Sequence, residues 1–394
     1  MNYLGTTSRQ FGVGLALLGL ALGTPACGDS DDDGQDDVAD EGDSDEGSDC
    51  VATPQATFPE VNESACVPSA TDYVPGTDDP YDACATDDGK YHLVEGTPSS
   101  VARVEAYDEI VALLAGRPSP DDFVTARTVY ALDEGLESRL LRREDLHHPA
   151  IPESDFDSDF EDDKQCSSPL NVEKHADRCA GPAKIAPLIN EAFLAGVEGT
   201  GAPEVHAARI EAAGLWFIAL SVYKEANTCI TKAKDCDSSW AYYSGGFDRA
   251  GGIGLAAEAR ALSELAHNRV FDGVSAVRCW RELYPIETYP LRSDLDETGE
   301  RLLSDALEQL DNAIWYSLAR IVRDRLENQD AVCGEEAEAN WAFIEILDPV
   351  LDLEASARGA TEAASLLALW ANPEPSASDL EAGVAANDAV FPCP

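Results

Sequence analysis

Between Val205 and Tyr223 only His206, Arg209, Glu211, Gly214 and Ser221 interrupt an otherwise apolar run. A helix that is apolar on every side has no solvent face and belongs at the centre of a bundle. With Glu211 as origin, Leu215, Ile218, Val222 and Glu225 fall on one face, so two carboxylates bracket an apolar stripe. Buried glutamates are costly unless paired, metal-bound or near a helix end. These two are therefore the first candidates for chemistry.

Helical periodicity recurs on both sides of this segment. Val101, Val104, Tyr107, Ile110, Val111 and Leu114 predict a helix beginning near Ser99. Ser119-Pro120-Asp121-Asp122 reads as an N-cap with proline at the first position, opening a helix to about Arg143. Further helices are expected over 183–197, 204–234, 255–269, 295–327, 341–353 and 355–370. The first of these is ended by Gly199 and Gly201. The helix over 295–327 carries an apolar face of Leu303, Leu307, Leu310, Ile314 and Ile321. No alternating Val/Thr-rich run argues for a strand. The expected fold class is all-α, a multi-helix bundle.

The N-terminus points to export. Arg9 precedes an apolar run, Phe11–Leu22, followed by Gly23-Thr24-Pro25-Ala26-Cys27-Gly28. The run is too short to span a bilayer and ends in small residues, as a signal peptide does. Cys27 after Ala26 resembles the lipobox of bacterial lipoproteins, with Thr24 an imperfect fit. That resemblance implies lipidation at Cys27 and a membrane anchor, and Gly28 in place of Asp suits outer-membrane sorting.

Eleven cysteines are present. With Cys27 lipidated, ten remain, an even number suited to disulfides in an oxidising compartment. Cys229–Cys236 and Cys166–Cys179 are the expected local pairs, and Cys333–Cys393 is expected to tie down the C-terminus. No CxxC occurs, which disfavours a zinc ribbon or finger. The reading divides the chain into a signal segment 1–27, a disordered acidic tether 28–49, a Cys/Pro-rich irregular arm 50–97 and a helical domain 98–394.

The formal charge is −48. Residues 28–49 hold 12 acidic side chains and no basic one, which is only a quarter of that charge, so the body is itself acidic. Nucleic acid would be repelled and cations concentrated near the surface. Asp29–Gly34 matches the opening of a calcium loop, D-x-D-x-D-G. No Glu follows at the twelfth position, and calcium binding there is not expected.

Catalytic signatures are missing from the sequence, which has no HExxH, G-x-S-x-G or P-loop. Gly251-Gly252-Ile253-Gly254 reads as a tight turn with close backbone approach. His206, near the start of the central helix, together with Glu211, Tyr223, Glu225 and Asp248, forms the candidate metal set. Tyr242, Tyr243 and Asp311 are further candidates. Carboxylate, imidazole and phenolate donors hold iron in helical bundles. Glu211 and Glu225 lie too far apart to share one ion, and ion pairs with arginines are the rival account.

The segments HAARIEAAGLWFIALSVYKEANTC, KDCDSSWAYYSGG, LDNAIWYSLARIVR and NWAFIEIL resemble the iron-assimilation, high-CO2-inducible periplasmic proteins of green algae, which have bacterial relatives. The resemblance covers roughly residues 98–394. It implies a secreted protein assisting iron uptake and supplies no ligand set. Arg209–Trp216 is also similar to the metal-binding helix of imelysin-like proteins, whose His-x-x-Glu pair precedes Leu–Trp. Glu211 matches that glutamate, but position 208 is Ala and His206 stands two residues earlier. An i,i+5 pair does not share a helical face, so the match is broken at its histidine.

The expectation is an exported, lipid-anchored binding protein that captures iron or another metal and works with a metal-uptake partner. It is not expected to be an enzyme. A partner-binding or structural lipoprotein without ligand and an imelysin-like hydrolase are the alternatives. Glutamates paired only to arginines, with no cavity, would favour the former; a nucleophile–base pair in a cleft would favour the latter.

Overall fold

The computed structural model describes residues 54–78, 80–132, 135–140 and 185–394. The signal segment, Cys27, the tether with its Asp29–Gly34 motif, and the pair Cys166–Cys179 lie outside the described residues. The described residues all belong to one compact unit, so the described part of the 50–97 arm belongs to the body.

Twelve α-helices and no strand occur among the described residues. They are α1 Ser100–Leu113, α2 Pro120–Ala131, α3 Glu137–Leu140, α4 Ile185–Glu198 and α5 Pro203–Thr228. There follow α6 Ala233–Ser244, α7 Leu255–Leu262, α8 Glu264–Leu283 and α9 Glu297–Gln329. The last three are α10 Gly334–Arg358, α11 Ala360–Trp370 and α12 Ala377–Val390. The fold is an all-α bundle.

The apolar run becomes α5, and it is the axle of the bundle. It packs against α1, α4, α6, α9 and α10, with Leu215, Phe217, Ile218 and Val222 fully buried. By length and composition α5 is the one described helix apolar enough to cross a membrane, and most of it lies inside the bundle. Pro203 in its first turn loses no helical hydrogen bond, because the N–H it lacks has no partner there. Gly199 and Gly201 adopt φ of +65° and +74° before it, a conformation that glycine reaches at little cost.

The N-cap expected before α2 is present as a reciprocal box. Ser119 Oγ accepts from Asp122 N–H at 3.4 Å, and Asp122 accepts from Ser119 N–H at 2.8 Å. Such a box satisfies two otherwise orphaned donors.

Several boundaries differ from the sequence reading. The helix expected to run to Lys234 ends at Thr228, whose hydroxyl donates to the Lys224 carbonyl at 3.1 Å. The short turn that follows lets Cys229 bond Cys236. The expected 255–269 helix is two helices broken at Ser263, whose Oγ accepts from Ala266 N–H at 2.8 Å and caps α8. The helix starting at Pro120 stops at Ala131, with α3 separate. α10 begins seven residues before Trp341, and Gly359 divides it from α11. α12, unforeseen, opens with a Ser376–Asp379 capping box.

Cys229–Cys236 forms as expected, whereas Cys333–Cys393 does not. Cys393 bonds Cys66, and Cys84 bonds Cys279. Cys333 is disulfide-bonded as well. The C-terminus is tied to the arm by the Cys66–Cys393 bridge, and the Arg323 side chain also joins the two, reaching both the Pro59 carbonyl and Asp388.

Among its described residues the arm has two short 3-10 turns, Glu63–Ala65 and Ala85–Asp88, and it is held by specific bonds. Asp237, fully buried on α6, accepts from Val94 N–H at 2.8 Å, Glu95 N–H at 2.9 Å and Tyr91 O–H at 3.2 Å. Backbone donors converging on one carboxylate replace the water it gave up.

Candidate functional site

The sequence-derived metal set does not meet at one point. His206 Nε2 donates to the Thr200 carbonyl at 2.7 Å, closing the turn that precedes α5. Asp248 is exposed on the loop after α6, and its carbonyl accepts from Gly251 N–H at 2.8 Å. Glu225 is buried near the C-terminal end of α5. Among the described residues, no group of three or more His, Cys, Asp or Glu is arranged to hold a metal ion.

Tyr223 stands in a different neighbourhood from Glu211. Its hydroxyl is pushed far up by burial, and the nearby Asp311 and Glu354 push the same way. Asp311 accepts from Trp315 Nε1 at 2.9 Å and lies 3.9 Å from Arg358. Burial and then Glu354 push the Asp311 carboxyl up to about 7.

Tyr242 and Tyr243 also have structural partners. Tyr242 O–H accepts from Arg103 at 3.4 Å. Tyr243 O–H lies 3.0 Å from His267 Nδ1, and His267 Nε2 donates to the Arg249 carbonyl at 2.7 Å. That chain fixes the glycine turn, where a Cβ on Gly254 would come within 2.8 Å of Val104. The turn reading of the glycine cluster holds.

Glu211 is the candidate that faces a cavity. A groove of about 790 Å3 runs between α1, α5 and the α9–α10 junction. Glu204 and Glu211 reach it from α5, Arg325 and Asn328 from α9, and Glu335, Glu336 and Asn340 from α10. Most of these have defined partners. Arg117 lies 3.4 Å from Glu204 and 2.9 Å from Glu335. Asn340 Nδ2 donates to the Arg325 carbonyl at 2.7 Å and to Gln329 at 2.8 Å, bracing the corner where α9 meets α10.

Arg325 is the electrostatic hub. Its Nη2 donates to Glu211 Oε1 at 2.8 Å, and its guanidinium stacks 4.0 Å from the Phe343 ring centroid. Burial pushes the Glu211 carboxyl up; Arg325 opposes this and Glu258 adds to it. Glu258 is pushed up by burial too, with Arg325 again opposing and Asp324 and Asp108 adding. Tyr107 O–H donates to the Glu211 carbonyl at 3.3 Å, and burial holds its own ionisation far above the usual range. Arg325 thus serves Glu211 and Glu258 while Arg117 serves Glu204 and Glu335, and with Glu336 in addition the groove remains acidic. It can take up a positively charged ligand.

Sequence reasoning found Glu211 but missed Arg325, Glu258, Glu335 and Glu336. An Arg on the polar side of a long helix reads as solvated, and only scarcity marks it, with 27 basic against 75 acidic residues.

The fold and groove define an α-helical, disulfide-stapled protein with an acidic cleft. Compared with family models, with curated proteins and with solved structures, the chain matches none.

Proposed function

We propose that the protein is an exported, lipid-anchored binding protein that captures a cationic ligand in the Glu211–Arg325 groove and serves iron uptake. The observation carrying this reading is a 790 Å3 groove walled by Glu204, Glu211, Glu335 and Glu336, four carboxylates served by two arginines, in a chain of net charge −48. A surface of one sign focuses its field into clefts and raises the local concentration of opposite charge. Support for export comes from the leader and Cys27, and support for iron from the resemblance of 98–394 to iron-assimilation proteins. The groove carboxylates are dispersed, and Glu211 already faces Arg325. They suit a cation that keeps a shell of water or chelator oxygens more than a stripped ion that needs several protein donors.

A membrane partner protein would receive the ligand. The Glu211–Arg325 ion pair also favours a second reading, a partner-binding lipoprotein without ligand, since a glutamate paired to arginine has a structural role without one.

The test is calorimetric titration of the purified protein with ferric citrate and with ferrous ion, alongside analysis of bound metal. Stoichiometric binding weakened at least tenfold by Glu335→Gln with Glu336→Gln, and reduced by salt, is expected. Absence of binding, or binding indifferent to these variants, moves the assignment to the partner-binding reading. Labelling with radioactive palmitate, lost in Cys27→Ser, tests the anchor.

A further inference from the structure

A second cleft, of about 640 Å3, is lined by other residues of α5 and α10 and shares only Val332 with the first. Its residues come from segments far apart in sequence. Gln55 belongs to the arm, Val205 and Arg209 to α5, Trp341 and Ala342 to α10, and Pro373 to the connection before α12. A cavity of this size accommodates a ligand of a few residues.

Arg209 sets its chemistry. It is partly buried, and among the described residues it makes no ion pair and no hydrogen bond. Acidic side chains outnumber basic ones 75 to 27 in this chain, yet none pairs with this guanidinium among the described residues. Asp330, the carboxylate at the same cleft, is already committed, accepting from Gln55 N–H at 2.6 Å and Ala56 N–H at 2.7 Å. Gln329 accepts from Asn340. The guanidinium fork, with its donors in a fixed plane, is therefore left to read a planar oxyanion.

The other side chains restrict which oxyanion. Glu338, Glu345 and Glu374 are exposed at the same cleft. A simple anion would meet both these carboxylates and the −48 field, and a simple cation would leave Arg209 unused. A ligand bearing a carboxylate at one end and an ammonium at the other satisfies both. Val205, Ala342, Pro373 and the Trp341 ring supply an apolar wall between them. We propose that this cleft binds a short apolar peptide with both termini free, its carboxylate on Arg209 and its ammonium toward the glutamates.

The experiment is calorimetric titration of the full chain with Ala-Leu-Ala, with its N-acetyl form and with its C-terminal amide. The free tripeptide should bind one per chain, and each blocked form at least tenfold more weakly. In Arg209→Gln the distinction between acid and amide should collapse, while Glu211→Gln leaves all three affinities unchanged. That last control separates this cleft from the acidic groove. Arg209→Lys, which keeps the charge without the fork, should retain part of the distinction, and circular dichroism checks that each variant is folded. No binding of any form, equal affinity for acid and amide, or a distinction that survives Arg209→Gln would overturn the proposal.

Discussion

Glu211 Oε1 and Arg325 Nη2 lie 2.8 Å apart across the α5–α9 contact, with each side chain about a quarter exposed, 22% and 27%. Removing Arg325 would strand a desolvated carboxylate. Arg325→Ala should therefore cost on the order of 2 kcal/mol, below the ~3–5 typical of a fully buried pair because water still screens this one. Glu211→Gln should cost less than about 1 kcal/mol, since a neutral amide can stay where a charge would not. Glu211 is already pushed up by burial, and losing Arg325 pushes it further. The Arg325→Ala deficit should accordingly shrink as pH falls and Glu211 takes up a proton. Urea unfolding at several pH values measures both effects.

Asp311 makes a sharper pH prediction. Its carboxyl titrates near 3.8 when unconstrained and at about 7 in the fold. Between those values the native state keeps the proton that the unfolded chain releases, so stability declines as pH rises. The decline attributable to Asp311 should amount to order 3 kcal/mol between pH 4 and 7 and then level off. Asp311→Asn should lack that component. A wild-type minus variant difference that is flat from pH 4 to 7 would refute it.

Gly273 on α8 meets α9 so closely that a Cβ would stand 2.6 Å from Leu310 Cα. The obstacle is backbone, which cannot rotate away as a side-chain tip does. Gly273→Ala should destabilise by about 1–3 kcal/mol through overpacking, despite the higher helix propensity of alanine. Thermal unfolding should show a lowered midpoint with unchanged helix content below it.

Asp237 tests what holds the arm. Asparagine keeps the shape but points an N–H2 at donors that need an acceptor. Asp237→Asn should cost about 2–3 kcal/mol. Limited proteolysis should then cut selectively between residues 88 and 97, which the wild-type protein protects.

These elements differ in how legible they were. The centre of the bundle could be read directly, because nineteen residues with so few polar breaks admit no surface position. Breaks inside helices were harder. The apolar period runs through Ser263 and Thr228 without a glycine or proline, and their hydroxyl caps act only once neighbouring helices fix the bend. α12 was missed because its alanines give little amphipathic contrast, although Ser376 and Asp379 carried a capping signature. Glu211 was singled out as a carboxylate needing a partner, and the fold leaves it half-buried against one. Its partner, Arg325, sits 114 residues later, and pairing at that distance follows from the packing of α5 on α9. Disulfide connectivity was hidden for the same reason: Cys229–Cys236 is a seven-residue local closure, but Cys66–Cys393 depends on where both ends of the chain come to rest.

That last bridge changes what cleavage can do to the molecule. Because Cys66 is joined to Cys393, residues 66–393 form a covalent ring, and Cys84–Cys279 divides it into two smaller rings. A single cut anywhere within the larger ring opens one of these loops, leaves the other closed and releases no fragment. A protease cutting once between residues 66 and 393 would leave a nicked but undivided protein, and freeing a fragment would take a second cut in the same loop or reduction of a bridge.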